Sequence, residues 1–128
     1  MKIVCLIARL LLGLMFPVFG LNAFLNFIPA GPMPPGQAGA FFGVLFATHY
    51  MYVVGAVMVI SGALFLANRF VPLALVLLGP VLFNILTFHI LMLPSTIWMA
   101  LFATLLWALV AWQHRTAFEV LFEAEFKG

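Results

Sequence analysis

Charged residues are scarce in this sequence: Asp, Glu, Lys and Arg make up 6% of its 128 residues, whereas 67% are hydrophobic. A mean hydropathy of +1.30 excludes a soluble domain of this length, which needs a charged surface. Cys5 is the single cysteine, which excludes an internal disulfide and a thiol-relay pair. A net charge of +2, with no basic patch or glycine-rich phosphate loop, excludes a nucleic-acid partner. The sequence therefore predicts a membrane protein whose main partner is the lipid bilayer.

Long apolar runs occupy most of the chain. At about 20 residues per span they leave room for four transmembrane helices and no soluble catalytic module. We expect one domain over residues 1–128, an all-α membrane fold built as a four-helix bundle with short loops. The predicted spans are residues 3–27, 41–67, 71–93 and 96–113. Residues 28–39, rich in proline and glycine, are predicted to form a loop, and Asn68 and Pro72 indicate a tight turn.

Residues 114–128 form a C-terminal tail with an amphipathic pattern. Phe118, Leu121 and Phe122 share one helical face, and Glu119 and Glu123 share the other. This pattern is typical of an interfacial helix that lies on a membrane. A solvated extension of the fourth helix explains the pattern equally well.

Four spans place every charged residue on the same side of the membrane. These residues are Lys2, Arg9, Arg69, Arg115, Lys127 and the three glutamates of the tail. By the positive-inside rule both termini are cytoplasmic. We therefore expect a multi-pass protein of the bacterial inner membrane.

Polar residues within the spans gather toward the opposite, outer side. They are Asn22, Asn26, His49, Tyr52, Asn84, Thr87 and His89. Polar groups in hydrocarbon are costly unless they pair or line a cavity, so this set predicts a ligand-binding pocket open to the outer leaflet. A quinone or another lipid-like ligand suits such a pocket, with His49 or His89 hydrogen-bonded to its carbonyl. In the alternative interpretation, the polar side chains join helices to one another, and Asn26 and Tyr52 are interface anchors.

A second polar group is expected near the cytoplasmic side. Its members are Arg9, Ser61, Asn68 and Arg69. The Arg9 guanidinium is expected to snorkel to headgroups, or to bind Ser61, Asn68 or the outgoing carbonyls of the second span. Glycines on the first two spans permit close packing and also a homodimer. Two histidines without a carboxylate make a poor ligand set, so no metal site is predicted and haem is disfavoured.

Three segments, "ARLLLGLMFPVFGLN", "ISGALFLANRF" and "NILTFH", resemble the DoxX family of small bacterial membrane proteins, and the resemblance covers nearly the whole chain. Its elements are an arginine with spaced glycines, a glycine late in the second helix, an arginine at the turn and a histidine late in the third helix. In this sequence they are Arg9, Gly13, Gly20, Gly62, Arg69 and His89.

The resemblance implies a four-helix bundle associated with quinones and with a redox or membrane-complex partner. Many members carry an acidic or polar residue four positions before the helix-two glycine, where this chain has Met58, and that departure weakens an enzymatic interpretation. The sequence contains no complete catalytic constellation, so the chain is at most a subunit of a quinone-linked oxidoreductase. The competing interpretation is a non-enzymatic membrane subunit or assembly factor. A small channel or transporter is disfavoured because no span carries a continuous polar stripe.

Overall fold

The computed structural model describes residues 1–28 and 33–125, and the regular structure of these residues is entirely helical. Helix α1 spans Lys2–Leu25, α2 Gly36–Ala47, α3 Tyr50–Ala67, α4 Val71–Met92 and α5 Trp98–Gln113. A 3₁₀ turn, Pro94–Thr96, precedes α5, and a 3₁₀ segment, Arg115–Phe122, follows it. Part of the predicted loop, residues 29–32, and the end of the predicted tail, residues 126–128 with Lys127, lie outside the described residues.

Three helices, α1, α3 and α4, are apolar and long enough to cross a membrane. Their 24, 18 and 22 residues give lengths of about 27 to 36 Å at about 1.5 Å per residue. Helix α5 has 16 residues and is shorter, about 24 Å against a hydrocarbon core of about 30 Å. The 12 residues of α2 measure only about 18 Å. The predicted all-helical class is confirmed, and so are three apolar helices of membrane length.

The predicted second span, residues 41–67, is wrong as one continuous helix. Thr48 ends α2, and His49 takes a left-handed backbone conformation with φ 61° before α3 begins. The hydroxyl and the amide of Thr48 both donate to the carbonyl of Val44, at 2.7 and 3.0 Å, and close the last turn of α2. No glycine or proline marks the break in the sequence. The missed signal was length, since residues 41–67 as one helix would measure about 40 Å, more than the bilayer core of about 30 Å.

Other helix ends lie close to their predicted positions. Asn68 ends α3 with φ 53°, and Pro72 lies in the first turn of α4, as the sequence predicts. The loop was predicted over residues 28–39. Helix α2 begins at Gly36, however, so residues 36–39 are helical.

Helices α1 and α3 form the most extensive helix pair, and glycines bring their backbones together. A Cβ atom added to Gly20 would lie 2.6 Å from the carbonyl oxygen of Gly55, and one added to Gly55 would lie 2.8 Å from that of Gly20. A Cβ atom on Gly62 would overlap the ring of Pro17. The predicted close packing of these glycines is confirmed, and it is contact within one chain. A homodimer would therefore need another surface.

The remaining contacts join α1 to α5, α3 to α4 and α4 to α5, while α2 packs against α3 and α4. The most deeply buried large side chains are Leu12, Phe65, Leu75, Leu78 and Val110. They lie toward one end of the molecule, where α1 and α4 begin and α3 and α5 finish. We call this end the charged end, and the opposite end, which carries α2, the α2 end.

Candidate functional site

The two asparagines predicted in the outer half of the first span organise the exit of the chain from α1. The side-chain Oδ1 of Asn22 accepts a hydrogen bond of 2.7 Å from the amide of Ile28. Asn26 ends the helix in a left-handed conformation with φ 51°. Asparagine adopts this conformation more readily than most residues. Both residues thus have a local structural role at the α2 end.

The polar side chains of α4 bind the backbone of their own helix. Asn84 donates to the carbonyl of Pro80 at 2.8 Å, and Thr87 donates to that of Phe83 at 2.8 Å. Such bonds to the carbonyl one turn earlier satisfy a polar group inside an apolar helix. They run within α4, and they neither join neighbouring helices nor bring the predicted pocket residues together.

His89 repeats this pattern with its imidazole ring. Its Nδ1 lies 2.8 Å from the carbonyl oxygen of Ile85. A carbonyl only accepts, so this bond assigns the proton of the neutral ring to Nδ1 and makes Nε2 an acceptor. In this tautomer Nε2 would accept a hydrogen bond from a hydroxyl, whereas the predicted bond to a quinone carbonyl needs a donor.

The rings around His89 form a cluster between α2 and α4. The edge of the imidazole meets Phe88 with 5.2 Å between centroids. Phe88 in turn contacts Phe41 at 5.5 Å and Phe42 at 4.8 Å. Half-buried His89 therefore lies at the border of an apolar, aromatic contact that holds the short α2 against α4.

His49 belongs to a different ring cluster, which joins α1 to α3. Its imidazole stacks on Tyr52 with 5.2 Å between centroids, and Tyr52 stacks on Phe24 at 5.0 Å. His49 and Tyr52 are both exposed. The structure thus places the two predicted pocket histidines in separate aromatic contacts, on separate pairs of helices.

A polar cleft lies at the charged end. It has a volume of about 340 Å³, and its lining consists of Lys2, Leu6, Arg9, Asn68, Gln113 and His114. These residues come from the start of α1, the turn between α3 and α4, and the end of α5. Arg9 and Asn68, both expected near the cytoplasmic side, lie together in this lining. Gln113 and His114 were not predicted to join them. The predicted spans already contained the signal for these two residues. With four antiparallel spans, the fourth ends on the side of the membrane where the first begins, which puts Gln113 and His114 near Lys2.

Arg9 binds the end of α3 directly. Its guanidinium Nη1 donates to the backbone carbonyl of Phe65, one of the outgoing carbonyls named from the sequence. Ser61 is fully buried and donates instead to the carbonyl of Val57 in its own helix, at 2.7 Å. Arg69 is exposed and lies outside the cleft lining. The four predicted cytoplasmic-side residues therefore divide, with Arg9 and Asn68 in the cleft and Ser61 and Arg69 outside it.

An apolar groove of about 280 Å³ runs between α4, α5 and the tail. Its lining consists of Leu75, Val76, Gly79, Pro80, Trp107, Ala111, Phe118 and Leu121. The indole Nε1 of Trp107 donates to the carbonyl of Leu75 at 3.0 Å and ties α5 to α4. Here the predicted tail face needs correction, since Phe122 is 88% exposed while Phe118 is half-buried. In a 3₁₀ helix residues three apart are aligned, so Phe118 and Leu121 share a face and Phe122 does not.

Within residues 1–28 and 33–125, no group of three or more His, Cys, Asp or Glu side chains could hold a metal ion. Comparison of the chain with models of protein families, with curated proteins and with solved structures found no match.

Proposed function

We propose that this chain is a non-enzymatic subunit or assembly factor of a complex in the bacterial inner membrane. The four spans are α1, α3, α4 and α5, and both termini are cytoplasmic. One observation carries the proposal: four hydroxyl and amide side chains of α3, α4 and α5 donate hydrogen bonds to carbonyls of their own helix. Besides Ser61, Asn84 and Thr87, Thr104 donates to the carbonyl of Ala100 at 2.7 Å. Polar groups used in this way support apolar helices and do not converge on a substrate.

The distribution of charge supports this arrangement in the membrane. The charged end gathers Lys2 and Arg9 at the cleft, and Arg69 lies in the adjacent turn. By the positive-inside rule such an end faces the cytoplasm. Helix α5, at about 24 Å, spans a locally thinned bilayer, and the shorter α2 lies near the outer surface.

The tail supplies a surface for a protein partner. Phe118 packs against the buried hydrophobic core and holds the tail at the apolar groove. Phe122, 88% exposed, projects beside Glu119 and Glu123, which are also exposed. Exposed aromatic side chains are enriched in the centres of protein–protein interfaces, whose rims are polar.

Site-specific photo-crosslinking in intact cells tests the proposal. A photoreactive residue replaces Phe122 in the tail or, as a matched control, Trp98, which is 75% exposed at the other end of α5. We expect a discrete crosslinked protein from position 122 and none from position 98. The Phe122→Ala variant, with a photoreactive residue at the neighbouring Leu121, should weaken that crosslink. Identical crosslinks from the two positions, or none, would contradict the proposal.

A second candidate function, binding of a quinol, rests on His89. In the neutral ring with its proton on Nδ1, Nε2 is an acceptor, and the imidazole lies against Phe88, which in turn stacks on Phe41. This setting suits a flat aromatic ligand with a hydroxyl group. The resemblance to the DoxX family supports the same candidate, with electrons supplied by a redox partner. This candidate is tested by extracting the protein in mild detergent and measuring bound quinone by mass spectrometry. A quinone that is lost in His89→Ala and kept in the control His114→Ala would establish this candidate in place of the first.

A further inference from the structure

The cleft at the charged end gathers positive charge. Within the described residues its lining contains the cations Lys2 and Arg9, and it contains no carboxylate. Asn68, Gln113 and His114 add neutral polar groups that can donate hydrogen bonds. A cleft with this lining favours an anion.

Helix ends shape the electrostatics of the cleft in two ways. Helix α1 begins at Lys2, so the positive end of its dipole and its first amide groups lie at the cleft. Helices α3 and α5 finish there, and their terminal carbonyls carry partial negative charge. Some of those carbonyls already have donors, since Arg9 donates to the carbonyl of Phe65 and the amide of His114 donates to that of Val110 at 3.1 Å. The formal charges of the two cations therefore dominate.

Arg9 keeps the capacity to bind a second acceptor. A guanidinium has five N–H donors, and the bond to Phe65 uses Nη1. The guanidinium is also held in place by this bond, so binding an anion costs less side-chain entropy than at a mobile surface arginine. Guanidinium and ammonium groups together are the usual ligands of phosphate in proteins.

We propose that this cleft binds a phosphate group, carried by an anionic phospholipid or by a free phosphate compound. Its volume of about 340 Å³ holds a phosphate and several waters, since a water occupies about 30 Å³. Arg9 lies about 10 Å along α1 from Lys2, so the cleft extends from the helix end toward the apolar segment. If the chain spans the membrane as proposed above, this depth coincides with the phosphates of the cytoplasmic leaflet, and basic pockets there bind anionic headgroups.

Native mass spectrometry of the full-length chain in mild detergent tests this inference. The probes are phosphatidylglycerol, phosphatidylcholine as the zwitterionic reference, and inorganic phosphate or glycerol 3-phosphate as soluble competitors. The test variants are Lys2→Gln and Arg9→Gln. Arg69→Gln and Arg115→Gln are the matched controls, because they remove the same charge at the same end from residues outside the cleft lining.

We expect each cleft variant to weaken binding of phosphatidylglycerol by about tenfold, the loss of one charge-assisted hydrogen bond. The control variants should change it less than about twofold, because Arg69 and Arg115 lie outside the cleft lining. In one outcome, soluble phosphate displaces the lipid at millimolar concentration, with the same dependence on Lys2 and Arg9. That result would identify a free phosphate compound as the ligand of the cleft. Lack of displacement identifies the lipid. Either result supports the site.

Equal losses in cleft and control variants would overturn the proposal, because diffuse surface charge would then explain the binding. Equal affinity for the two lipids, without competition by phosphate, would also overturn it. If Arg9→Gln fails to fold, Lys2→Gln still decides, since Lys2 is exposed. These results are independent of the crosslinks from position 122, so failure of the phosphate site is distinguishable from failure of the proposed subunit function.

Discussion

The guanidinium of Arg9, in α1, donates a hydrogen bond to the backbone carbonyl of Phe65, in the last turn of α3. A cation at the end of a helix interacts favourably with the negative end of its dipole, and here the cation belongs to another helix. The bond joins the most extensive helix pair at the charged end, while Gly20 and Gly55 bring the same two helices together farther along.

Replacement of Arg9 by leucine should lower the free energy of unfolding by roughly 2 kcal/mol, because a charge-assisted bond is lost and a helix end loses its cation. Unfolding in mixed micelles, followed by circular dichroism, measures the change. Arg69→Leu removes the same charge from an exposed residue and should change stability by less than about 0.5 kcal/mol. Equal effects would show that the bond to Phe65 is unimportant.

Gly62→Ala should destabilise the chain by about 1 to 3 kcal/mol, because the added methyl group would overlap the ring of Pro17 and force α1 away from α3. Gly43→Ala is the matched control, since no heavy atom lies within 4 Å of its added Cβ atom. That control should be neutral or stabilising by up to about 1 kcal/mol, as alanine is the better helix former. The same unfolding assay compares them, and a Gly62→Ala variant as stable as Gly43→Ala would contradict the packing.

Trp107→Phe should cost about 1 kcal/mol of stability, because the ring still fills the space beside Gly79 while the bond from the indole to the carbonyl of Leu75 is lost. Trp112→Phe serves as the control, as Trp112 is 61% exposed. Tryptophan fluorescence of the single variants should also assign the protected, less quenchable signal to Trp107. Equal quenching of the two residues would be inconsistent with the interhelical bond.

His49→Ile should weaken the junction between α2 and α3 by about 1 to 2 kcal/mol, because a β-branched residue disfavours the left-handed conformation at φ 61°. His49→Gly should leave it intact, since glycine adopts this conformation without strain. Hydrogen exchange of the α2 amides measures the junction, with faster exchange expected only in the isoleucine variant. Tyr50→Ile, one residue later and helical, is the control, and a similar effect there would exclude backbone strain as the cause.

Hydrophobic pattern and turn residues predict most of the fold. The first span, 3–27, differs from α1 by one residue at its start and two at its end, and Asn68 and Pro72 mark the observed turn. The break at His49 was not predicted, because histidine has no strong preference for helix ends. Thr48, His49 and Tyr50 interrupt the apolar run at the break, but polar residues also occur inside other predicted spans, so the excess length of the run is the clearer indication.

The candidate site was harder to predict than the fold. Asn84, Thr87 and His89 are polar residues in an apolar helix, and that pattern alone suggested a shared pocket. A serine, threonine, asparagine or histidine in a helix can instead bind the carbonyl one turn earlier, and sequence does not show which choice it makes. For these three residues the structure shows the second choice.

The sequence by itself determined that the chain is apolar and helical and that its charges cluster near helix ends, because composition and periodicity are local properties of the residues. Tertiary structure decided that Arg9 meets Phe65, that His49 and His89 lie in different aromatic contacts, and that Lys2 and His114 share one cleft. These relationships depend on how far apart helices pack and on their rotation about their axes. Both follow from side-chain volumes on several segments at once, so no single stretch of sequence contains them.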